Sequence, residues 1–269
     1  MKNIKTYFLS ILAAGMVLTL SCDEENEITN RRISENPIPG TPTGDSGSLN
    51  TGKYVAIGNS LTAGFMDGAL YNSGQANSFP ALIGRQLQTA GVGGSPFNQP
   101  DINSENGFSG MGPNGPLGRF ELSLSLLAPV PTVGEAPTAY SGDKSALSNF
   151  GVPGMRLTDI HNPALASNGL YARFATQPGV STVLGEAIGA GPTFYTFWLG
   201  NNDVLGYAAS GGVDEADITD AATFQSQLAF ALTQLVNTGA EGMVLNLPPI
   251  VLAPFFRAVP YNPVPLDAA

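Results

Sequence analysis

Three short polar segments of the chain carry side chains that are suited to acyl transfer. They lie at residues 58–61 (Gly-Asn-Ser-Leu), 149–154 (Asn-Phe-Gly-Val-Pro-Gly) and 200–203 (Gly-Asn-Asn-Asp). The Ser60 hydroxyl would project from the carboxyl edge of a parallel sheet, and an asparagine side chain at residues 201–202 would offer a neutral N–H donor at the same edge. N–H groups in such a place favour a developing oxyanion.

Each segment taken alone also has a plain structural interpretation. Asn-Ser after a strand is typical of a turn followed by a helix cap. The glycines of the second segment, Gly154 among them, are typical of a turn, although they also let a backbone N–H approach a substrate closely. The polar third segment is typical of a loop and a helix cap. Their order along the chain, each directly after a predicted strand, favours a shared site.

The segments must be positioned by the elements around them. Short apolar or aromatic runs predict strands at residues 53–58, 120–127, 146–150, 193–199 and 243–247. Helical spacing of apolar residues predicts helices at 60–64, 79–87, 155–160 and 181–188, and a longer one from a Thr219 cap to a Gly239 stop. The buried stripe of that long helix would be Phe224, Leu228, Ala231, Leu232 and Leu235. Residues 90–118, dominated by Gly, Pro, Asn and Ser, predict a long loop.

This alternation of strands and helices indicates the fold class. Strands that are apolar throughout are typical of a parallel α/β sheet covered on both faces. We therefore expect a three-layer α/β/α sandwich. Open sheets of this kind bind their ligands at the carboxyl edge of the strands. Because all three polar segments follow strands, they are expected to meet at that edge.

The three segments, in this order, resemble the sequence blocks of the GDSL-like, or SGNH, hydrolases. These are esterases, lipases and carbohydrate deacylases on a three-layer α/β/α fold. Residues 58–61 resemble the Gly-Asp-Ser-Leu block with Asn59 in place of Asp, residues 149–154 the Asn-x-Gly-x-x-Gly block, and residues 200–203 the Gly-x-Asn-Asp block. The resemblance runs from residue 53 to about residue 203 and more loosely to the C-terminus.

This resemblance implies a role for each site residue. Ser60 would be the nucleophile. The backbone N–H groups of Ser60 and Gly154 and the side chain of Asn202 would form the oxyanion hole. The implied fold is the same α/β/α sandwich, here incomplete at its C-terminus.

The base that should activate the serine has no counterpart in this sequence. The family's last block is Asp-x-x-His, and the only histidine here, His161, has Thr158 three positions before it. Asp159 lies two positions before His161, a spacing that puts the two on different faces of a helix. We interpret His161 as a polar residue at a helix end and expect the base beyond residue 269, in a longer gene product. The alternative is a natural short protein that has lost its base.

Residues 1–21 resemble a bacterial lipoprotein signal peptide. Two lysines precede an apolar run at residues 7–20, and the small Ser21 stands directly before the only cysteine, Cys22. The implied modification is a lipid on the Cys22 thiol, which would tether the chain to a membrane without spanning it. The alternative is an ordinary signal peptide with an incidental cysteine.

The next segment separates this signal from the predicted domain. The acidic residues 23–25 are typical either of a surface-export signal or of a solvated tether. Residues 22–51 are rich in Asn, Pro, Gly, Ser and Thr and predict a flexible tether. Residues 52–269 are then the hydrolase domain.

Composition limits the partners of the chain. Its 11 Lys and Arg against 21 Asp and Glu give a net charge of −10, which repels phosphate and argues against nucleic acid. One Cys and one His rule out a disulfide framework and a multi-histidine metal site, so neither metal nor cofactor is expected. We expect a small-molecule, glycan or lipid ester as substrate and a lipid-anchored location in the cell envelope, at the outer membrane or cell surface. The alternative function is a non-catalytic surface lipoprotein that binds acyl or glycan ligands.

Overall fold

The computed structural model describes residues 44–253 and residue 256. The predicted signal peptide, the predicted lipidation site Cys22 and the tether up to residue 43 lie outside the described residues. The last part of the predicted tether packs on the domain. The Gly44 N–H donates to the Ala90 carbonyl over 3.0 Å, and the Thr51 hydroxyl donates to the Val92 carbonyl. The folded domain therefore includes residues 44–51 and does not start only at residue 52.

The described residues form seven strands, seven α-helices and five short 3-10 helices. The strands are β1 (Tyr54–Gly58), β2 (Gly110–Gly112), β3 (Gly115–Ser123), β4 (Ala128–Val133), β5 (Asn149–Gly151), β6 (Phe194–Trp198) and β7 (Glu241–Val244). The α-helices are α1 (Ser60–Ala63), α2 (Asn72–Ala76), α3 (Phe79–Thr89), α4 (Gly169–Ala172), α5 (Val183–Gly189), α6 (Asn202–Ala209) and α7 (Ala221–Val236). The 3-10 helices are Lys144–Ala146, Leu157–Asp159, Pro163–Ser167, Glu215–Asp217 and Ile250–Leu252.

The centre of the fold is a four-stranded sheet in the order β5-β1-β6-β7, with every neighbouring pair parallel. Successive side chains of a strand point to opposite faces of the sheet, so β1 contributes side chains to the core on both faces. Val55 and Ile57 belong to a core cluster shared with α5 and α7. Tyr54 and Ala56 belong to a second cluster, which contains residues of α3. The predicted α/β sandwich with a parallel sheet between helical layers is thus confirmed.

A second sheet was not expected from the sequence. Strands β2, β3 and β4 form a three-stranded antiparallel sheet that begins in the last part of the predicted loop, and β3 includes the first half of the strand predicted at residues 120–127. Pro129 and Pro131 make β4 hard to predict from the sequence, because proline has no N–H to donate to a neighbouring strand. The strand still forms because it lies at the edge and pairs only with β3.

Four further elements differ from their predicted bounds. Strand β5 starts at Asn149, three residues later than the predicted start at residue 146. The cap of α7 is Asp220, whose carboxylate accepts from the Thr223 N–H, whereas the predicted cap Thr219 donates its hydroxyl to Asp203. The helix predicted at 155–160 is only the single 3-10 turn Leu157–Asp159. Strand β7 runs from Glu241 to Val244, two residues earlier than expected. The buried stripe of α7 is confirmed, since all five residues named above lie in or against the main core.

Candidate functional site

Ser60 stands at the carboxyl end of β1, as the first residue of α1. Asn59 is 1% exposed, and its side chain caps this helix by accepting from the Leu61 N–H over 3.1 Å. The amide thus performs the capping that an aspartate would also perform. Helix α1 is a single turn of 4 residues, so its dipole adds much less at Ser60 than a long helix would.

The turn that presents Ser60 requires glycine. A Cβ on Gly58 would lie 2.1 Å from the Thr62 hydroxyl oxygen and 2.5 Å from the Trp198 carbonyl oxygen. Both distances are shorter than any van der Waals contact, so a larger residue would push α1 away from the ends of β1 and β6. The glycine before the serine therefore lets α1 sit directly against the edge of the sheet.

The buried side chain of Asn149 binds the second segment to the helix of the nucleophile. Its Nδ2 donates to the Thr62 carbonyl over 2.9 Å, and its Oδ1 accepts from the Gly151 N–H over 2.9 Å. The Val152 N–H also donates to the Gly58 carbonyl over 2.9 Å. The first asparagine of the segment is therefore a structural tie, and it holds the loop that follows β5 beside α1.

Gly154 has the backbone conformation that its predicted role needs. Its φ of 84° lies in the left-handed region, which favours glycine, and a Cβ at this position would meet only Asn168 Nδ2, at 3.9 Å. Neither the Gly154 N–H nor the Ser60 N–H donates a hydrogen bond within the part of the chain that the structure describes. Both backbone groups are therefore open to a ligand.

Asn202 and Asp203 fasten the third segment to the second. Asn202 Nδ2 donates to the Met155 carbonyl over 2.9 Å. The carboxylate of Asp203, 1% exposed, accepts from the Leu157 N–H over 2.8 Å and from the Thr219 hydroxyl over 2.7 Å. One proton of the Asn202 amide is used by Met155, and the other is left for a ligand.

Ser60 and Asn202 line the same cavity of about 360 Å³. It opens where β1 and β6 end side by side, with Gly58 paired to Trp198. The chain crosses from one side of β1 to the other between β5 and β6, so this is the point where open α/β sheets bind ligands. No charged side chain lines the cavity among the described residues. Gly154 does not line the cavity. Its link to the site is the next residue, Met155, whose carbonyl accepts a hydrogen bond from Asn202.

Sequence reasoning missed one wall of this cavity. Residues 247–250, 252, 253 and 256 line it together with the first turns of α1 and α6. They follow β7, whose carboxyl end lies at the same edge of the parallel sheet. The proline pair Pro248 and Pro249 after a predicted strand was the available signal, because it marks a turn at that edge.

His161 does not meet Ser60 in this structure. Its ring packs against Phe230 of α7 with 5.1 Å between ring centroids, and it does not line the cavity. Its Nδ1 is buried without a hydrogen-bond partner among the described residues. No described side chain hydrogen-bonds Ser60 Oγ, so the described residues supply no general base to the serine.

Residues 44–253 and 256 contain neither a metal-binding cluster nor a membrane-spanning helix. No three His, Cys, Asp or Glu side chains are grouped there so as to hold a metal ion. None of the helices in that range is both long enough and apolar enough to cross a bilayer. The chemistry that the described site offers therefore comes from a hydroxyl, an amide and backbone N–H groups.

The chain has no match among models of known protein families, among curated proteins or among solved structures. A functional assignment consequently rests on the three polar segments and on the geometry that brings them together.

Proposed function

We propose that this chain is a serine ester hydrolase of the GDSL-like type, with Ser60 as nucleophile. The observation that carries the proposal is that Ser60 and Asn202 line one cavity at the carboxyl edge of a parallel sheet. The Gly154 loop is joined to both by hydrogen bonds from Asn149 and Asn202. Three segments far apart in sequence thus form one connected unit around a hydroxyl.

The reaction follows from the chemistry of these groups. Ser60 Oγ attacks the ester carbonyl carbon, and the carbonyl oxygen becomes an oxyanion that accepts hydrogen bonds from the Asn202 amide and the free Ser60 N–H. The resemblance adds the Gly154 N–H, which would have to move toward the cavity to donate there. Collapse of this intermediate breaks the bond to the alcohol oxygen, which leaves with a proton, and water then hydrolyses the acyl-serine. Each oxyanion donor is worth about 2.7–4 kcal/mol of barrier.

The described residues offer no acceptor for the proton that Ser60 must lose when it attacks the ester. Serine is a weak nucleophile at neutral pH unless a base takes this proton. We therefore expect slow turnover by this chain, since enzymes that lose a member of the catalytic triad keep only about 10³–10⁴-fold catalysis over water. The resemblance assigns the base to an Asp-x-x-His block that these 269 residues do not contain.

Hydrolysis of 4-nitrophenyl butyrate tests the proposal. We expect slow release of 4-nitrophenol above the buffer rate by the purified chain at pH 9, where hydroxide can take the Ser60 proton, and a lower rate in Ser60→Ala. Ser226→Ala is the matched control, because Ser226 is exposed on α7 and bonds only the carbonyl of Thr223. Equal rates for the chain and for Ser60→Ala would overturn the assignment of the nucleophile.

A second function, binding without catalysis, is favoured by one specific observation. Ser60 Oγ has no base among the described residues, while the cavity beside it is formed. A surface lipoprotein that binds acyl or glycan ligands would need the cavity but not the oxyanion donors. Ligand binding that is unaffected by Ser60→Ala, together with no Ser60-dependent hydrolysis, would favour this second function.

We also propose that Cys22 carries a lipid that holds the domain at the cell envelope. The support is the sequence alone, in which Ser21 and Cys22 follow an apolar run. Cells that express the chain should incorporate labelled palmitate into it, and Cys22→Ser should abolish the label and release the protein from the membrane fraction. Labelling that survives in Cys22→Ser would contradict the anchor.

A further inference from the structure

The lining of the Ser60 cavity is divided into a polar part and an apolar part. Its polar side chains all come from the two turns at the sheet edge, at residues 59–60 and 201–202. The rest of the lining is apolar apart from Gly200, and is supplied by Leu61, the first turns of α6 and the segment after β7. A ligand that fits this lining has one polar reacting end and an apolar body, because polar groups buried without partners cost free energy.

Several apolar side chains around the cavity are left in water. Leu61 is 44% exposed, Leu205 38%, Leu247 37% and Leu252 54%. All four line the cavity and come from three different parts of the chain. An apolar ligand lying there would cover them and gain the hydrophobic free energy that they now lack. A sugar would cover them without that gain.

The Ser60 cavity differs in charge from other cavities of similar size. A cavity of about 430 Å³ beside α5 is lined by Lys144, Glu186 and several hydroxyl side chains. A largely apolar cavity of about 460 Å³ beside α3 includes Asp45. The Ser60 cavity, of about 360 Å³, has no charged residue in its lining among those described.

The size of the cavity limits the length of the apolar body. A dry cavity of about 150 Å³ lined by Leu, Ile and Phe holds one benzene ring. A volume of about 360 Å³ is more than twice as large, which suits a chain of several methylenes together with the ester group. An acetyl group would leave most of the lining wet, and a long fatty chain would extend beyond it.

We propose that the Ser60 cavity selects esters of medium-chain acyl groups, of about six to ten carbons. This inference rests on the proposed function. Leu205 on α6 and Ile250, Leu252 and Phe256 after β7 are its specificity-determining wall. The acyl chain lies along this wall while the ester carbonyl meets Ser60 and Asn202.

Hydrolysis of a series of 4-nitrophenyl esters tests the length selection. We expect kcat/KM to rise at least tenfold from the acetate to the octanoate. Ala253→Trp adds a large side chain at an exposed position of the cavity lining, so it should lower the ratio of octanoate to acetate kcat/KM at least tenfold. Val213→Trp is the matched control, since Val213 is 82% exposed and does not line the cavity.

A binding measurement separates this inference from the proposed function. Methyl alkyl ketones carry the carbonyl and the chain but are not hydrolysed, and the catalytically disabled Ser60→Ala variant can be used. Each methylene buried in the cavity should tighten binding about fourfold. Calorimetry should therefore show 2-decanone binding at least tenfold more tightly than 2-butanone, and Ala253→Trp should remove the difference.

The outcomes are distinguishable. Ser60-dependent hydrolysis that is fastest for acetate, with ketone binding independent of length, would overturn the acyl-chain inference and leave the hydrolase proposal standing. Length-dependent ketone binding without any Ser60-dependent hydrolysis would overturn the hydrolase and support an apolar-ligand cavity. Length dependence in both measurements, with sensitivity to Ala253→Trp in each, supports both proposals.

Discussion

At the residue scale, the two protons of the Asn202 side-chain amide have different roles. One proton is held by the Met155 carbonyl at 2.9 Å, and this bond fixes the orientation of the side chain. In the proposed reaction, the other proton would donate to the oxyanion formed at Ser60. A donor held in this way costs no reorganisation when charge develops, which is the source of oxyanion stabilisation.

Replacement of this donor gives the sharpest test at the residue scale. We expect Asn202→Ala to lower the kcat of Ser60-dependent ester hydrolysis by about 10²–10³-fold, because the oxyanion loses its side-chain donor. The measurement is kcat on 4-nitrophenyl octanoate. Asn237→Ala, at an exposed position directly after α7, serves as the control and should change kcat less than twofold. An Asn202→Ala variant within fivefold of the parent would argue against the role.

Sequence alone identified these residues but not how each of them acts. Ser60 and Asn202 were predicted to share an edge, and they line one cavity. Asn59 is the helix cap that the plain structural interpretation expected, and this does not compete with a nucleophile at the next position. Gly154 has the expected backbone freedom, yet its distance from the cavity depends on the loop of β5, which no residue pattern specifies.

At the element scale, the site depends on hydrogen bonds between elements that hold its loops in place. The carboxylate of Asp203, in the first turn of α6, accepts from the Leu157 N–H of a 3-10 helix and from the Thr219 hydroxyl ahead of α7. This single buried group joins three elements. It therefore positions the loop of Gly154 relative to Asn202 without touching the cavity itself.

The loss of this connection should be visible in stability. We expect Asp203→Ala to lower the free energy of unfolding by about 3 kcal/mol, since a buried N–H and a hydroxyl lose a charged acceptor. Asp214→Ala is the matched control. Its exposed carboxylate only caps the 3-10 helix Glu215–Asp217, so about 1 kcal/mol is expected. Urea denaturation measures both, and equal losses would contradict the tie between elements.

The elements themselves were predictable where the pattern was strong. β1 and β6 were found from apolar and aromatic runs that end in glycine, and α7 from its buried stripe. Only part of β3 was predicted from the sheet of β2, β3 and β4, because the glycines and prolines of this sheet, Pro129 and Pro131 among them, suppress the usual strand signal. Its pairing is decided by contacts between strands and not by local preference.

At the scale of the whole molecule, the strands β5, β1 and β6 of the parallel sheet are buried on both faces, whereas β7 is exposed. One buried tyrosine shows what this burial does to ionisation. Tyr54 is 4% exposed, and its hydroxyl lies 2.9 Å from that of Thr196 on β6. Burial raises the pKa of Tyr54 from 10.0 to about 12, and the hydrogen bond to Thr196 acts in the opposite direction. The folded protein thus keeps this proton over a pH range in which the unfolded chain has lost it.

This difference predicts how stability changes at alkaline pH. Because the folded-state pKa is the higher one, the contribution of Tyr54 is complete below pH 10 and is lost as the pH rises from 10 to about 12. The loss should be on the order of 2 kcal/mol. Tyr54→Phe should be less stable than the parent at pH 8, where it leaves Thr196 unpaired, and the gap should narrow by pH 11.5. A gap in unfolding free energy that stays constant across this range would contradict the buried pKa.

The cavity is the feature of the whole molecule that sequence could not predict. Its floor follows from the rule that ligands bind where parallel strands end. Its apolar wall depends on the direction the chain takes after β7, at Pro248 and Pro249, and on the first turn of α6. These parts are distant in sequence, so only the packed structure shows that Leu205 and Leu252 line one space.

The central claim, that Ser60 is a nucleophile, is tested most directly by covalent labelling with an excess of an alkyl fluorophosphonate at pH 9, where hydroxide can take the proton for which the described residues offer no acceptor. Trypsin should release residues 54–85 as one peptide, which holds Ser60 together with Ser73 and Ser78. We predict that fragmentation of this peptide locates the phosphonate on Ser60, and that Ser60→Ala carries no label on it. A chain that remains unlabelled, or a label that persists in Ser60→Ala, would contradict the account.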